Sequence, residues 1–285
     1  MGAIEVKTLI VNADDFGLND AATEGIAEAF LGGSVTSTTM MVNAPAVSKA
    51  ADFAIRHPAL GVGLHFNLTW GRPLSPAQSV PALIAPDGCF LSRGQLAKRL
   101  LLGRIPPHQI RRELDAQIRA FVSLGLDPTH IDSHQHVHAF KSIFSAVAAR
   151  CKEMDIPIRV PWVSDTLTGG VGRSVRRYVL KMLLQRSVAP WRGKVAWNSG
   201  IGSVFDIHYG GEALTDDHYR QILAPVQCRN FELMVHPVTS AQAMNGFTTI
   251  GDVSEAEWRY LRRNNLKILA NELGFTLGSY RDISL

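Results

Sequence analysis

The sequence predicts an α/β fold of parallel strands covered by helices, and three observations carry that prediction. Short β-rich apolar runs alternate with stretches whose apolar residues recur at helical spacing, the signature of strand-helix-strand crossovers. A length of 285 residues is normal for one α/β barrel and allows a large core. Polar residues recur at or just past the C-terminal ends of the β-like runs: Asp14, Asp15, His65, His134, Arg159 and His236. In parallel α/β sheets that rim is where separate loops converge and ligands bind.

Taken in order, Thr8–Ala13 reads as a strand that stops at Asp14-Asp15-Phe16-Gly17, followed by a helix from about 20 to 30. A second β-like run, 35–42, ends at Asn43; a helix from about 46 to 56 follows and Pro58 closes it. Leu60–Leu64 leads into His65, a third strand finishing on a polar side chain. Residues 70–105 carry several prolines and glycines and little sustained period, which suits an excursion packed over the main body as a lid. Pro106-Pro107 opens a helix whose Ile110, Leu114, Ile118, Phe121 and Val122 repeat at i+4 and i+3 until Gly125.

That helix delivers the chain into Thr129–His138, where four of the ten histidines and one aspartate fall within ten residues. If the segment is extended, His130, Asp132, His134, His136 and His138 share one face. A helix over 141–154 precedes the run 156–161, which carries Arg159. Basic residues Arg173, Arg176, Arg177, Lys181 and Arg186 then interleave with apolar ones at helical spacing, as on a solvated helix face. After a turn-rich segment around Trp197–Gly200 and a short helix near 216–223, Phe231–Val235 ends on His236-Pro237. Ser254 and Glu257 form a capping-box pattern that predicts a last long helix reaching Gly274, with 275–280 as a closing strand. There is no internal repeat, and residues 1–285 read as one domain.

Composition narrows the class. Lys and Arg total 29 against 25 acidic residues, a formal +4 that suits an anionic ligand without requiring one. Cys89, Cys151 and Cys228 are widely spaced and form no C-x-x-C pair, which argues against a disulfide framework and a cysteine zinc site. No apolar run approaches a membrane span, and Met1–Lys7 lacks the marks of an export signal, so a cytoplasmic protein is expected, with neither nucleic acid nor membrane as partner.

The chemistry follows from residue types. Adjacent carboxylates at a strand end repel, so Asp14-Asp15 makes sense beside a cation or with one proton retained; a capping turn is the plainer alternative. Two imidazoles and one carboxylate leave positions free on a divalent metal for water and substrate, as in catalytic sites. With a second carboxylate as base and a histidine as acid, hydrolysis of an amide or ester is the natural reaction class, and Arg159 could hold such a base ionised.

The motifs Asn12–Gly17, Thr36–Thr39, Gly63–Thr69 and His130–His138 resemble those of the YdjC-like carbohydrate deacetylases, in order over about residues 8–160, with Met234–Pro237 as a later landmark. The chain departs from the family pattern at Gln135, where many relatives are expected to carry histidine. The resemblance implies a distorted (β/α) TIM-like barrel, as in polysaccharide deacetylases, and one divalent ion, magnesium or zinc. It implies removal of acetyl from an N-acetylated sugar or chitooligosaccharide, and it is compatible with a homodimer. It implies Asp15, His65 and His134 as metal ligands, Asp14 as base, Arg159 orienting that base, and His236 as general acid. Asn43, Asp132, His136, His138 and Trp162 would support these groups or bind sugar. Two other readings stand beside it: a two-histidine, one-carboxylate iron oxygenase, against which the strand-helix alternation argues, and a non-catalytic sugar- or nucleic-acid-binding module using the basic helix.

Overall fold

The computed structural model of the chain describes residues 7–162, 171–207, 209–263 and 265–285. Its spine is β1 (Lys7–Phe16), which pairs in parallel with three other strands. Along one edge, Thr8–Ala13 pairs with β6 (Asn230–Val235). Along the other, β7 (Phe275–Gly278) covers Lys7–Ile10 and β2 (Ser37–Met40) takes over from Asn12. β3 (Gly61–Phe66) lies on β2, β4 (Ile131–Ser133) on β3, and β5 (Gly200–Gly202) on the far side of β6. The order is β4-β3-β2-β1-β6-β5, every pairing parallel. Ile158 bridges Ile131 on one side and Trp197 on the other, so the two edges meet and the sheet curls into a distorted (β/α) barrel.

The two faces of this sheet differ in kind. Leu9, Val11 and Ala13 of β1, Val62, Leu64 and Phe66 of β3, and Leu233 and Val235 of β6 point outward into the main hydrophobic core beneath the helices. Each of the Leu, Val and Phe side chains among them contributes roughly 1.5–3 kcal/mol when fully buried. Their alternate neighbours Asn12, Thr39, His65, Asp132 and Glu232 face inward, all buried. Barrel interiors are usually packed with branched aliphatics. This one is lined instead with charge and hydrogen-bonding groups.

Helices α1 (Asp20–Leu31), α2 (Val47–Arg56), α4 (Pro107–Ser123) and α5 (Lys141–Met154) cover the outside, close to the predicted spans. Asn19 caps α1 by accepting from Ala22 N at 2.9 Å, and Pro107 opens α4. The 70–105 excursion contains α3 (Arg93–Leu101) and buries Val80, Leu83, Phe90 and Leu96 in the main core. It is fastened to α4 by Glu113, whose carboxylate accepts from Leu74 N and Ser75 N at 3.0 and 2.9 Å.

Three expectations are corrected. The histidine-rich strand ends at Ser133, and 134–139 form a tight 3₁₀ segment instead of more strand. The run 156–161 contributes a single bridging residue, Ile158, rather than a strand. The last long helix is two helices, α8 (Gly251–Leu261) and α9 (Asn265–Glu272). Ser254 does not cap it: α8 begins at Gly251, so Ser254 and Glu257 lie inside the helix, and both bond across to the β6 loop, Ser254 O accepting from Val238 N and Glu257 from His236 N.

The basic segment is helix α6 (Val171–Val188), and the short helix after it is α7 (Asp216–Leu223). The side chains of Arg173, Arg176, Arg177 and Val179 lie outside the described residues. No described helix is long and apolar enough to cross a membrane.

Candidate active site

Two local departures from regular backbone build the site. In a plain strand Asp14 and Asp15 would face opposite sides. Here the β1–β2 register slips between Ala13 and Phe16, and Asp15 takes φ +68°, a left-handed conformation that aspartate tolerates better than most residues. Gly17 follows at φ +87°. The break lets both carboxylates reach the barrel mouth. At the end of β4, Gln135 and His136 both have φ +55°, which turns the chain sharply after His134. Such positions cost on the order of 1–3 kcal/mol each and concentrate at functional sites.

The histidine row keeps its alternation for three residues and then loses it. His130, Asp132 and His134 climb the barrel from floor to mouth. His130 lies flat on Tyr280, ring centroids 3.8 Å apart, and against Gly63, where any Cβ would fall 2.5 Å from the imidazole. His138 is buried beyond the turn, bonding Ser133 Oγ through Nδ1 and the Arg159 carbonyl through Nε2, so it props the segments that carry the site. His136 lines the cleft.

At the mouth, Asp15 Oδ1 lies 2.9 Å from His134 Nδ1 and 3.2 Å from His65 Nε2. The ligating atoms of these three residues all lie within 4.8 Å of one another, as they do for Asp14, His65 and Asp132. The chemistry of the donors separates the two sets. Asp14 and Asp132 already contact Arg159, at 2.6 and 2.5 Å, whereas among the described residues no Lys or Arg pairs with Asp15. His65 also gives its Nδ1 to Asp132 at 2.7 Å and leaves Nε2 toward Asp15, the outer carboxylate–imidazole arrangement found around metal ligands. Asp15, His65 and His134 therefore fit a divalent cation. Burial opposes the charged form of His65, but Asp132, Asp15 and Asp14 outweigh it and pull its pKa up to about 10, so a proton supplies the positive charge the cluster demands. Asp15 is likewise held well below the usual carboxylate range, its burial overcome by the two histidines.

Beneath the mouth, Arg159 is fully buried and grips Asp14 through both oxygens, at 2.6 and 2.7 Å. It also pairs with Asp132 and Glu232, and Glu232 accepts from the Tyr280 hydroxyl. Burial alone would raise the Asp14 pKa; the guanidinium wins and holds it well below the carboxylate range. Burial pushes Glu232 up to about 7 against the pull of Arg159.

His236 stands opposite, Nε2 4.0 Å from Asp14 Oδ2. Burial lowers its pKa despite Asp14 and Asp15, so its resting form near neutral pH is the free imidazole. Its backbone N–H donates to Glu257 at 2.7 Å, a fully buried carboxyl that burial pushes up to about 8.

The cleft over these groups is small, about 120 Å³, walled by Leu18, Trp70, Phe247 and Ile250 as well as the polar residues. Trp70 stacks on Phe247, centroids 5.5 Å apart. Asn43 does not line it: its amide donates to the Trp70 and Arg72 carbonyls and accepts from Asn67, fastening the turn that carries Trp70. Trp162 points away to donate to Asn198 O at 2.7 Å. The structure thus brings Asp14, Asp15, His65, Asp132, His134, Arg159 and His236 together, and leaves Asn43 and Trp162 outside the cleft.

Glu232, Glu257 and Tyr280 escaped the sequence reading. The signal for Glu232 was present, a lone carboxylate between Phe231 and Leu233 in an apolar strand. Glu257 was masked by its fit to a capping box, and Tyr280 by its place at the end of the expected closing strand 275–280.

Comparison with known proteins gives the chain its family. The family model described as YdjC-like protein matches residues 8–272. The chain belongs to the YdjC-like family. Among YdjC-like relatives, a chitooligosaccharide deacetylase of Proteus mirabilis (strain HI4320) is 34% identical over 281 residues, covering 96% of this chain and 98% of its own. A carbohydrate deacetylase of Geobacillus stearothermophilus is 48% identical over 150 residues, 53% of this chain and 58% of its own. The fold matches a crystal structure of a candidate cellobiose-phosphate cleavage protein from Enterococcus faecalis V583, with a TM-score of 0.77, 26% identity, and 96% and 98% of the two chains covered.

Proposed function

We propose that this protein is a metal-dependent hydrolase that removes acetyl from an N-acetylated sugar or oligosaccharide, leaving acetate and a free amine. One observation carries the reading: an Arg-held carboxylate and a free imidazole, 4.0 Å apart, flank a carboxylate–imidazole cluster that fits a cation. The near full-length relatives named as chitooligosaccharide deacetylases support the substrate class.

Asp15, His65 and His134 would hold the ion. When bound, a divalent cation polarises an acyl oxygen and lowers the pKa of water, and two imidazoles with one carboxylate favour zinc or another transition metal over magnesium. Asp14, kept ionised and aimed by both nitrogens of Arg159, takes a proton from the attacking water. The water oxygen bonds to the acetamide carbon, the carbon–nitrogen bond breaks, and the departing nitrogen receives a proton from His236. His236 rests as the free imidazole, so the proton it gives is the one Asp14 took, passed from Asp14 Oδ2 to the facing His236 Nε2 before the carbon–nitrogen bond breaks. Glu257 fixes the backbone that carries His236. The cleft is well below the roughly 300–1,000 Å³ of pockets that engulf whole ligands, so it takes the acetamide arm while the sugar ring rests at the mouth against Trp70.

The test is acetate release over a panel of N-acetylated mono- and disaccharides, with and without chelator. Activity on at least one sugar, abolished by chelator and restored by metal, is expected; chelator-resistant turnover would reject the metal role.

A further inference from the structure

Beside the small cleft lies a larger concavity that the mechanism leaves unused. It is a groove of about 1,040 Å³ between α3, the turn after His134, α5 and α6. Its walls are aliphatic, with Leu100, Leu101, Phe140, Leu180 and Leu183 prominent. Leu101 is 72% and Leu180 45% exposed, so these helices present apolar side chains where solvated ones carry polar residues. Arg93, Lys141 and Arg186 also line the groove, and among its described lining residues there is no carboxylate.

The groove and the catalytic cleft are continuous in sequence and space. Gln135 and His136 line both, so the left-handed turn after His134 is the sill between them. His136 Nδ1, shielded from solvent, has no protein partner among the described residues. A substrate whose acetamide enters the cleft carries its remainder across this sill.

We propose that the groove binds that remainder and that it is amphiphilic, a hydrocarbon chain joined through an anionic group to the N-acetylated sugar. This rests on the deacetylase reading above and narrows its substrate. A further run of sugar rings would call for hydroxyl-bonding side chains and aromatic platforms. The groove's hydroxyls, on Ser142, Ser145 and Ser187, are set among aliphatic walls and three cations, and its one aromatic platform among the described lining residues is Phe140.

The test compares methyl, butyl and octyl glycosides of N-acetylglucosamine, with octyl phosphate as an acetyl-free competitor. Acetate is expected from all three glycosides. Because the chain is bound alike in ground and transition states, KM should fall at least about tenfold from methyl to octyl with kcat nearly unchanged. This is well short of the roughly fourfold per methylene that full burial allows. Octyl phosphate should compete at least about tenfold better than octanol or methyl phosphate, and Leu183→Asp should erase the dependence on chain length. Should that variant not fold, the wild-type series decides alone. Acetate release with a flat KM overturns the groove assignment and leaves the deacetylase reading standing. A flat KM with a dimer that Leu183→Asp dissociates gives the groove to a second copy and also overturns it. If no glycoside is hydrolysed the deacetylase reading fails, and calorimetry with octyl phosphate still decides the groove, since absence of binding overturns it.

Discussion

The barrel interior holds two carboxylate clusters one above the other, and they solve the same electrostatic problem differently. In the lower one, Asp14, Asp132 and Glu232 surround a guanidinium that is part of the chain. In the upper one, Asp15 pairs with imidazoles and, among the described residues, with no Lys or Arg, and a proton on His65 supplies the positive charge. A cation built into the chain is permanent and structural. A proton is exchangeable, so the upper cluster can trade it for a metal ion. The difference explains why the two aspartates, adjacent in sequence, would take unlike roles in the proposed reaction.

Removing the built-in cation should break the comparison most violently. Arg159→Met leaves three buried carboxylates without the guanidinium they share and should cost about 3–5 kcal/mol, seen as a fall in the urea midpoint or failure to fold; an unchanged midpoint would show that the lower cluster is not held by charge. Asp14→Asn should lower kcat by about 10²–10⁴ while metal affinity stays within a few-fold, measured by turnover and competition with a chromophoric chelator. His134→Ala should do the reverse in the upper cluster, weakening metal at least about 100-fold with little change in the melting temperature of the metal-free chain. Glu257→Gln retains an acceptor for His236 N–H and should lower kcat by no more than about tenfold, with Glu257→Ala lower still; equal activity in all three would leave Glu257 without a positioning role.

The smallest expected effect concerns pH. The folded pKa of His65, about 10, lies above its unfolded value near 6.5. In the metal-free chain its contribution to stability is therefore full below about pH 6.5 and is lost as pH rises through about 10. Metal needs the neutral ring, so binding near pH 7.5 should release about one proton per ion, counted by calorimetry in two buffers of different ionisation enthalpy. No release would place the ion away from His65.

Much of the site was legible because position along a β-like run is a local property. Asp14, Asp15, His65, His134, Arg159 and His236 could be picked out as strand-end residues, and the structure gathers five of them at one mouth with Arg159 buried beneath, against Asp14. The residues that escaped are those whose partners are remote in sequence. Tyr280 meets Glu232 48 residues away, and His236 meets Glu257 across the start of α8.

The sequence by itself determined the alternation of strand and helix, the apolar outward face of each strand, and the chemical types available at the strand ends, because periodicity and residue chemistry act over a few neighbours. Only the tertiary structure decided which aspartate is neutralised by Arg159 and which needs an exchangeable cation. It also decided that the histidine row breaks after His134, and that Asn43 and Trp162 serve neighbouring segments rather than the cleft. Those outcomes depend on backbone torsions at Asp15, Gln135 and His136, and on charges brought together from across the barrel. No local pattern carries that information.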